Sequence, residues 1–223
     1  MRNRPFSILL FDEIEKAHPT ILDKFLQILE DGRMTDGQGQ TVYFSECIII
    51  FTSNLGIYTR DARGERHLNV TMDMTYEDVA KRVRRAIEDY FKLELGRPEI
   101  LNRIGENIVV FDFIRPDVAE RILAAQVKKI VHFLQEDKEI ALTLSDKAQA
   151  KLREAALRNL ANGGRGIGNI VESHLINPLS RFLFDHDLYE RTCVEVQDID
   201  ASTTPVSLIA EARPVDEQAA KEG

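Results

Sequence analysis

Two short runs of apolar residues stand out along the chain because each ends abruptly in polar side chains. The first run occupies residues 8–11 and leads into Asp12 and Glu13, and the second occupies residues 47–51 and leads into residues 52–54. An unbroken apolar run of this length predicts a strand buried on both faces, as in the centre of a parallel sheet. Since the carboxyl ends of parallel strands share one edge, where ligands bind in such sheets, we expect these polar side chains to form one site.

The rest of the first half alternates between helical and extended patterns. Apolar residues at helical spacing predict one helix between residues 21 and 29 and another between residues 79 and 91. A glycine-containing turn at residues 36–39 predicts a surface hairpin, whereas residues 58–74 show no clean period and predict an exposed loop. A third strand is predicted at residues 107–111.

The sequence Arg-Pro-Asp at residues 115–117 predicts a domain boundary, because the proline breaks the preceding element and the aspartate caps a new helix. The predicted fold class is α/β, with part of a parallel-sheet large subdomain at residues 1–115. A mainly helical α+β small subdomain follows at residues 116–200, and residues 201–223 are expected to form a flexible tail. Within the small subdomain we expect a helix with a kink at Pro178.

Composition and charge exclude several classes of function. The chain has 223 residues, of which 43% are hydrophobic, and 29 Lys and Arg against 37 Asp and Glu give a formal charge of -8. This acidic balance argues against a nucleic-acid binder or a basic membrane anchor. No apolar run is long enough to cross a bilayer, and the N-terminus lacks the apolar core of a signal peptide. We therefore expect a cytoplasmic protein, and Cys47 and Cys193, which lack CxxC spacing, are expected to be reduced.

The side chains that follow the apolar runs suit phosphoryl chemistry. Asp12 and Glu13 offer carboxylate oxygen, which hard cations prefer, and phosphoryl transfer to water needs an oriented nucleophile. The amide of Asn54 can donate to a phosphate oxygen and accept from water without adding negative charge. Taken alone, the two acids also fit a solvated turn, and an asparagine at a strand end also fits a capping role.

A family resemblance separates these alternatives. Residues 11–19 read FDEIEKAHP and resemble the Walker B segment of the Clp-type AAA+ unfoldases, the ClpA and ClpB class. The resemblance implies that Asp12 holds Mg²⁺ and that Glu13 polarises the attacking water. Residues 52–56 read TSNLG and resemble the sensor 1 segment of the same family. That similarity implies that Asn54 lies beside the γ-phosphate and the catalytic water.

A second segment of this kind contains Arg103. Residues 97–104 read RPEILNRI, which is similar to the family segment whose last arginine reaches the nucleotide of the neighbouring subunit. The resemblance implies that Arg103 is this arginine finger, and a planar guanidinium with a fixed charge suits that role. The alternatives for Arg103 are a charge at a helix C-terminus and an ion pair with Glu99.

A third segment contains Arg165. Residues 163–165 read GGR and resemble the sensor 2 motif of the family, whose arginine points at the nucleotide. The chain departs from the usual pattern at residues 166–169, which read GIGN where better-known members have proline and basic residues. The alternative for Arg165 is therefore a simple loop arginine.

The chain contains no GxxxxGK[ST] loop and no Gly-Lys pair, although a nucleoside triphosphatase of this class needs that loop to hold the phosphates. We therefore expect the C-terminal part of a larger ATP-dependent unfoldase or disaggregase, inactive by itself. The resemblance implies ATP and Mg²⁺ as cofactors, unfolded or aggregated proteins as substrates, and a ring, a hexamer when full length. The alternative is a non-catalytic module that binds intact subunits, and whether a peptidase partner docks stays open.

Overall fold

The computed structural model of the chain describes residues 6–61, 63–160, 163–188 and 191–214. The chain divides into two compact units, Met1–Asp112 and Phe113–Gly223, and each has its own hydrophobic core. The first contains a parallel strand pair with helices, and the second is mainly helical with a small sheet, which confirms the predicted fold class. No helix in the described ranges is long and apolar enough to cross a membrane.

Unit 1 contains short strands and three helices around a two-stranded parallel sheet. In chain order its elements are β1 (Ser7–Phe11), a 3₁₀ turn (Ile14–Lys16), α1 (Pro19–Asp31), β2 (Arg33–Thr35), β3 (Thr41–Tyr43), β4 (Cys47–Phe51), β5 (Tyr58–Arg60), β6 (Arg66–Leu68), α2 (Tyr76–Asp89), a π-helical turn (Tyr90–Glu94) and α3 (Pro98–Ile104). Strands β1 and β4 pair in parallel with Phe11 opposite Phe51. The pairs β2–β3 and β5–β6 are antiparallel hairpins.

The core of unit 1 forms where α1 meets one face of the β1–β4 pair. The ring centroid of Phe25 lies 4.5 Å from that of Phe11 and 5.2 Å from that of Phe51, with both contacts edge to face. Aromatic pairs favour this arrangement because the positive ring edge meets the negative ring face. The helix begins at Pro19, whose missing N–H costs nothing in a first turn, and ends before Gly32 at φ 63°, the left-handed conformation that glycine readily adopts.

The opposite face of the β1–β4 pair is exposed. Side chains alternate across a strand, so every second apolar residue points away from α1. The residues on this face are Ile8, Leu10, Ile48 and Ile50, with Ile8 68% exposed. The prediction of strands buried on both faces is therefore wrong for the described structure, since none of the described residues covers this face.

The predicted third strand at residues 107–111 is also absent. A strand needs a neighbour that pairs with its amide and carbonyl groups, and none of the described segments pairs with these residues. Phe111 is 88% exposed. An apolar, β-branched run therefore indicates that a segment can form a strand. Whether it does so depends on a neighbouring strand that can pair with it.

The segment predicted as an exposed loop at residues 58–74 contains the β5–β6 hairpin, whose strands are exposed as predicted but regular in structure. The Oδ1 atom of Asp61 accepts hydrogen bonds from the backbone amides of Arg63 and Glu65, at 2.8 and 2.9 Å. These bonds turn the chain between β5 and β6, and Val70 beyond the hairpin is fully buried. Hydrophobic periodicity misses such a turn because a side chain, not an apolar pattern, directs it.

Unit 2 packs helices against a three-stranded sheet. In chain order its elements are α4 (Pro116–Lys138), β7 (Ile140–Leu144), α5 (Asp146–Arg158), α6 (Gly163–Val171), a π-helical turn (Glu172–Ile176), α7 (Asn177–Asp185), β8 (Thr192–Asp200) and β9 (Ser207–Pro214). Strand β7 pairs in parallel with β8, and β8 pairs antiparallel with β9. Leu152, Ile167 and Leu175 are among its fully buried side chains.

The prediction for the C-terminal end of unit 2 needs correction. Residues 207–214 are not a flexible tail but form β9, because β8 offers them an antiparallel ladder with one register shift. Residues 215–223 of the predicted tail lie outside the described residues. The helix predicted to bend at Pro178 contains a π-helical turn, Glu172–Ile176, just before that residue, and Pro178 itself lies in the first turn of α7.

Candidate functional site

The carboxyl ends of β1 and β4 lie side by side, because Phe11 is opposite Phe51 in the parallel register. Two backbone hydrogen bonds continue the contact beyond the strands. The amide of Thr52 donates to the carbonyl of Phe11 at 2.9 Å, and the amide of Ile14 donates to the carbonyl of Thr52 at 3.0 Å. The structure therefore brings the polar residues after both strands to one edge of the sheet.

Thr52 links the two predicted acids to the end of β4. Its hydroxyl donates to the carboxylate of Asp12 and accepts the backbone N–H of Glu13 at 3.2 Å. A hydroxyl has one hydrogen to donate and two lone pairs, so both bonds use it without conflict. Asp12 is thereby held in one orientation at the strand end, with its side chain exposed.

Glu13 has an unusual backbone conformation, with φ 54° and ψ 53° in the left-handed region. For a residue other than glycine this conformation costs about 1–3 kcal/mol and persists only where surrounding contacts enforce it. Here the contacts are the bond from its amide to Thr52 and the bond from the amide of Lys16 to its carbonyl, at 2.9 Å. The ammonium of Lys16 also lies 2.6 Å from the Glu13 carboxylate, in a pair open to solvent.

Glu15 joins the loop after β1 to the loop after β4. Its Oε2 atom accepts the hydroxyl of Ser53 at 2.7 Å, and its Oε1 atom accepts the backbone N–H of Asn54 at 3.2 Å. Partial burial raises the pKa of Glu15, but the hydrogen bonds from Ser53 and from backbone amides favour the charged form and outweigh burial, so the net pKa is lowered. Asn54 is exposed at the same sheet edge as Asp12 and Glu13.

We define the strand-end cluster as Asp12, Glu13, Thr52 and Asn54, and Arg103 is described next within the same unit. Arg103 lies in the last turn of α3, where its Nη2 atom is 3.5 Å from a carboxylate oxygen of Glu30. Among the described residues, no hydrogen bond or ion pair joins it to the cluster. Glu99 is the predicted alternative partner of Arg103, but its Oε1 atom lies 3.9 Å from Nε of Arg97 instead.

Arg165 belongs to unit 2 and is described within that unit alone. It lies in α6 and, with Lys129 of α4, lines an open cleft of about 670 Å³. Neither cation forms an ion pair within the part of unit 2 that the structure describes. Glu172, at the start of the π-helical turn, lines the same cleft.

A separate group of possible metal ligands lies at the tip of the β5–β6 hairpin. Ligand atoms of Asp61, Glu65 and His67 lie within 4.8 Å of one another, and all three side chains are exposed. The oxygens of Asp61 already accept bonds from two backbone amides and lie 3.1 Å from Nε2 of His67. The hydrogen bonds that form the turn therefore account for the closeness of these three side chains without a bound ion.

The sequence predicts Asp12, Glu13 and Asn54 as site residues but does not reveal the residues that hydrogen-bond to them, Thr52 and Glu15. In the sequence, Thr52 is only a polar residue after an apolar run, and Glu15 is only one position of the FDEIEKAHP segment. The signal that would have found them is geometric. Polar residues that directly follow two adjacent parallel strands can form hydrogen bonds with each other. Which residues pair here depends on the turn of the chain at Glu13.

The donor set at the strand ends fits a hard divalent cation. Asp12 offers a carboxylate oxygen beside the hydroxyl of Thr52, and carboxylate, hydroxyl and water oxygens are the ligands that Mg²⁺ prefers. The Glu13 carboxylate is partly exposed beside them. The residues at the strand ends are therefore suitable for binding a metal ion and a water molecule. The sequence contains no glycine-rich loop that would bind the phosphates.

Comparisons with known proteins match both units. The family described as AAA domain (Cdc48 subfamily) matches residues 1–107, and the family described as the C-terminal, D2-small domain of ClpB protein matches residues 114–196. The chain is 37% identical over 191 residues to chaperone protein ClpB 1 of Thermosynechococcus vestitus, covering 85% of this chain and 20% of that protein. It is 36% identical over 215 residues to chaperone protein ClpB of Gloeobacter violaceus, covering 96% and 23%.

A solved structure is similar over nearly the whole chain. A closed-state cryo-EM structure of Hsp104 with ATPγS and FITC casein superimposes with a TM-score of 0.65 and 28% sequence identity. The match covers 94% of this chain and 33% of that chain. The chain thus spans about a fifth of the length of the curated relatives it matches.

Proposed function

The chain belongs to the ClpB-type AAA+ family, and on that premise we propose that it supplies the catalytic strand ends and the small subdomain of an ATP-hydrolysing module. The glycine-rich loop that holds the phosphates has to be supplied from outside residues 1–223, which contain no such motif. The observation that carries the proposal is the hydrogen-bonded junction of β1 and β4, where Thr52 binds both Asp12 and Glu13.

The two acids have different tasks in this proposal. Asp12 holds Mg²⁺, which when bound neutralises charge on the phosphate oxygens. Glu13 orients and polarises the attacking water as a general base. An exposed ion pair such as Glu13 with Lys16 contributes at most about 1 kcal/mol, so little free energy is needed to release the carboxylate to water.

Three further residues complete the proposed site. Asn54 contacts the γ-phosphate and the water through its side-chain amide, which carries no charge. Arg103 acts on the nucleotide of a neighbouring subunit, and its contact with Glu30, an exposed pair at 3.5 Å, is weak enough to be exchanged for a phosphate. Arg165 contacts the nucleotide from the small subdomain, and its lack of an ion pair among the described residues supports that role.

The proposed biological activity is ATP-driven remodelling of unfolded or aggregated proteins in the cytoplasm. Support comes from the relatives named chaperone protein ClpB and from the Hsp104 structure, which was solved with casein. A ring, proposed to be a hexamer, belongs to the same proposal. Among the described residues of unit 1, no hydrogen bond or ion pair joins Arg103 to the strand-end cluster, which supports a task at the nucleotide of a neighbour.

The test uses a hybrid, defined as ClpB 1 of Thermosynechococcus vestitus in which the segment matching this chain is replaced by the chain itself. The relative supplies the phosphate loop, and every hybrid is made in a background whose other ATPase module is inactivated, so turnover depends on the residues contributed here. Glu13→Gln is expected to lower kcat for ATP hydrolysis by about 10²- to 10⁴-fold, because glutamine has nearly the shape of glutamate but cannot act as a general base. Nucleotide affinity, measured by equilibrium binding, should remain.

The matched control is Glu46→Gln, an equally conservative change in the exposed turn before β4. This variant should retain the turnover of the unmodified hybrid. Equal rates for the Glu13→Gln and Glu46→Gln hybrids would contradict the assignment. So would an inactive hybrid that nevertheless binds ATP and assembles.

A further inference from the structure

We propose that Glu15 is a positioning residue that holds Asn54 at the strand-end cluster, an inference that rests on the proposed ATPase function. Its carboxylate is the side-chain link between the loop after β1 and the Ser53–Asn54 segment, 38 and 39 positions away along the chain. Asn54 is exposed, so burial does not hold it in place. Its orientation therefore depends on its hydrogen bonds, and both its backbone N–H and its side-chain amide interact with Glu15.

The geometry uses both oxygens of Glu15 as acceptors. Oε2 takes the hydroxyl hydrogen of Ser53 at 2.7 Å, and Oε1 takes the amide hydrogen of Asn54 at 3.2 Å. The same Ser53 oxygen accepts the amide of Leu55 at 3.0 Å, so one carboxylate orders three consecutive residues. Charged acceptors form the stronger hydrogen bonds, which favours a carboxylate over an amide at this position.

A second anchor lies at the far end of the same loop. Gly56 has φ +84°, and a Cβ atom there would lie 2.9 Å from the Cα atom of Val83 in α2. The close approach of the backbone to α2 leaves the loop little freedom at that end. Asn54 is thus held between Glu15 on one side and Gly56 on the other.

The three acids after β1 therefore bond to different partners. Asp12 bonds to Thr52, Glu13 pairs with Lys16, and Glu15 bonds to Ser53 and Asn54. Removal of Glu15 leaves the Asp12 and Glu13 contacts intact but releases Asn54. Turnover should fall while the affinities for metal and nucleotide change little. The reason is that a misplaced Asn54 side chain weakens stabilisation of the transition state more than it weakens ground-state binding.

The first test uses the 223-residue chain and NMR. The backbone amide signals of Ser53 and Asn54 are expected to shift with pH at the same midpoint as the carboxyl carbon of Glu15. In Glu15→Gln this titration should vanish, whereas in the control Glu46→Gln it should persist. If both units stay folded and the amide chemical shift of Asn54 does not change as Glu15 ionises, the proposal is overturned.

The second test measures coupling in the hybrid. Glu15→Gln is expected to lower kcat by roughly 10- to 100-fold with KM for ATP changed by less than about threefold, since a small misplacement of a catalytic group has effects of this size. Asn54→Ala should have a similar effect. The double variant should be no slower than Asn54→Ala alone within about twofold, because Glu15 then has no side chain to position.

The outcomes separate this inference from the proposed function. Multiplicative losses in the double variant, or an unaltered rate in Glu15→Gln, would overturn the positioning role while Glu13→Gln still abolished turnover. If Glu13→Gln also left turnover intact, the ATPase assignment itself would fail. Glu46→Gln should behave as the unmodified hybrid in every assay.

Discussion

The hydroxyl of Thr52 donates to the carboxylate of Asp12 across 40 positions of the chain. This bond exists because β1 and β4 are parallel neighbours that end at the same level of the sheet. Thr52 also accepts the amide of Glu13, whose left-handed backbone is thereby fixed. One side chain just after β4 thus bonds to both acidic residues that follow β1, to the carboxylate of Asp12 and to the backbone of Glu13.

Thr52→Val should weaken metal binding without removing a metal ligand. Valine keeps the shape of threonine but neither donates to Asp12 nor accepts from Glu13. Loss of a residue that orients a ligand typically costs about 10- to 100-fold in metal affinity. The measurement is the Mg²⁺ concentration that gives half-maximal ATP turnover in the hybrid.

The matched control for this change is Thr59→Val, on the exposed hairpin strand β5. It should leave the Mg²⁺ dependence as it is. A Thr52→Val hybrid with the same Mg²⁺ dependence as the control would show that the bond to Asp12 does not prepare the metal site.

Gly56→Ala should destabilise unit 1 by about 2–4 kcal/mol. The estimate combines the cost of a left-handed backbone for a residue with a Cβ atom and the cost of overpacking against α2. Added at this glycine, Cβ would lie 2.9 Å from the Cα atom and 3.0 Å from the carbonyl oxygen of Val83, which are backbone atoms. Urea unfolding of the 223-residue chain measures the loss.

Gly37→Ala is the control for that experiment, because a Cβ atom there meets nothing within 4 Å and no left-handed φ is required. Its free energy of unfolding should stay within about 0.5 kcal/mol of the unmodified chain. Equal stability of the two variants would mean that the loop after β4 can move away from α2.

The stability of unit 2 should depend on pH through Asp198. Hydrogen bonds from Lys147 and Lys151, at 2.8 and 2.7 Å, and from the amide of Ile199 lower the pKa of this carboxyl far below its usual range. A carboxyl whose folded pKa is lowered adds stability above its unfolded pKa of about 3.9 and loses it as pH falls further. Asp198→Asn should therefore lower the thermal midpoint at pH 7.

The difference between Asp198→Asn and the unmodified chain should shrink as the pH is reduced from 5 towards 2, because below about pH 3.9 the unfolded chain binds a proton at Asp198 that the folded chain does not bind, which favours unfolding. Asp137→Asn, an exposed change in α4, provides the control and should track the unmodified chain. A difference that stays constant across this range would contradict the ionic origin of the effect.

Arg103→Ala should abolish hydrolysis in the hybrid while nucleotide binding remains. Arginine fingers supply roughly 10³- to 10⁵-fold in related phosphoryl transfers, whereas the exposed contact of Arg103 with Glu30 contributes little to stability. Mixing Arg103→Ala with Glu13→Gln subunits should restore part of the activity, because some interfaces then join an intact Glu13 to an intact Arg103. Mixed rings that form but stay inactive would exclude action across the interface.

Much of the sheet edge is predictable from sequence because it depends on local patterns. The apolar runs end at Phe11 and Phe51, and parallel pairing then places Asp12 and Asn54 at one edge. The predicted roles of these residues remain predictions.

What sequence reasoning missed depends on partners that lie far away in the chain. Strand β9 forms because β8 offers a ladder, and residues 107–111 stay irregular because none of the described segments does. The bonds from Thr52 and to Glu15 require the left-handed turn at Glu13, which no propensity predicts for glutamate. The hairpin at Asp61 likewise depends on side-chain hydrogen bonds.

Paramagnetic relaxation by Mn²⁺ in the 223-residue chain tests directly whether the ends of β1 and β4 form one metal-binding edge. Mn²⁺ replaces Mg²⁺ at oxygen ligands and broadens NMR signals near it. We expect broadening centred on the amides of Asp12, Glu13, Thr52 and Asn54 that is lost in Asp12→Asn and kept in Asp61→Asn. Broadening confined to the hairpin group of Asp61, Glu65 and His67, with the strand ends unaffected, would contradict a metal site at this edge.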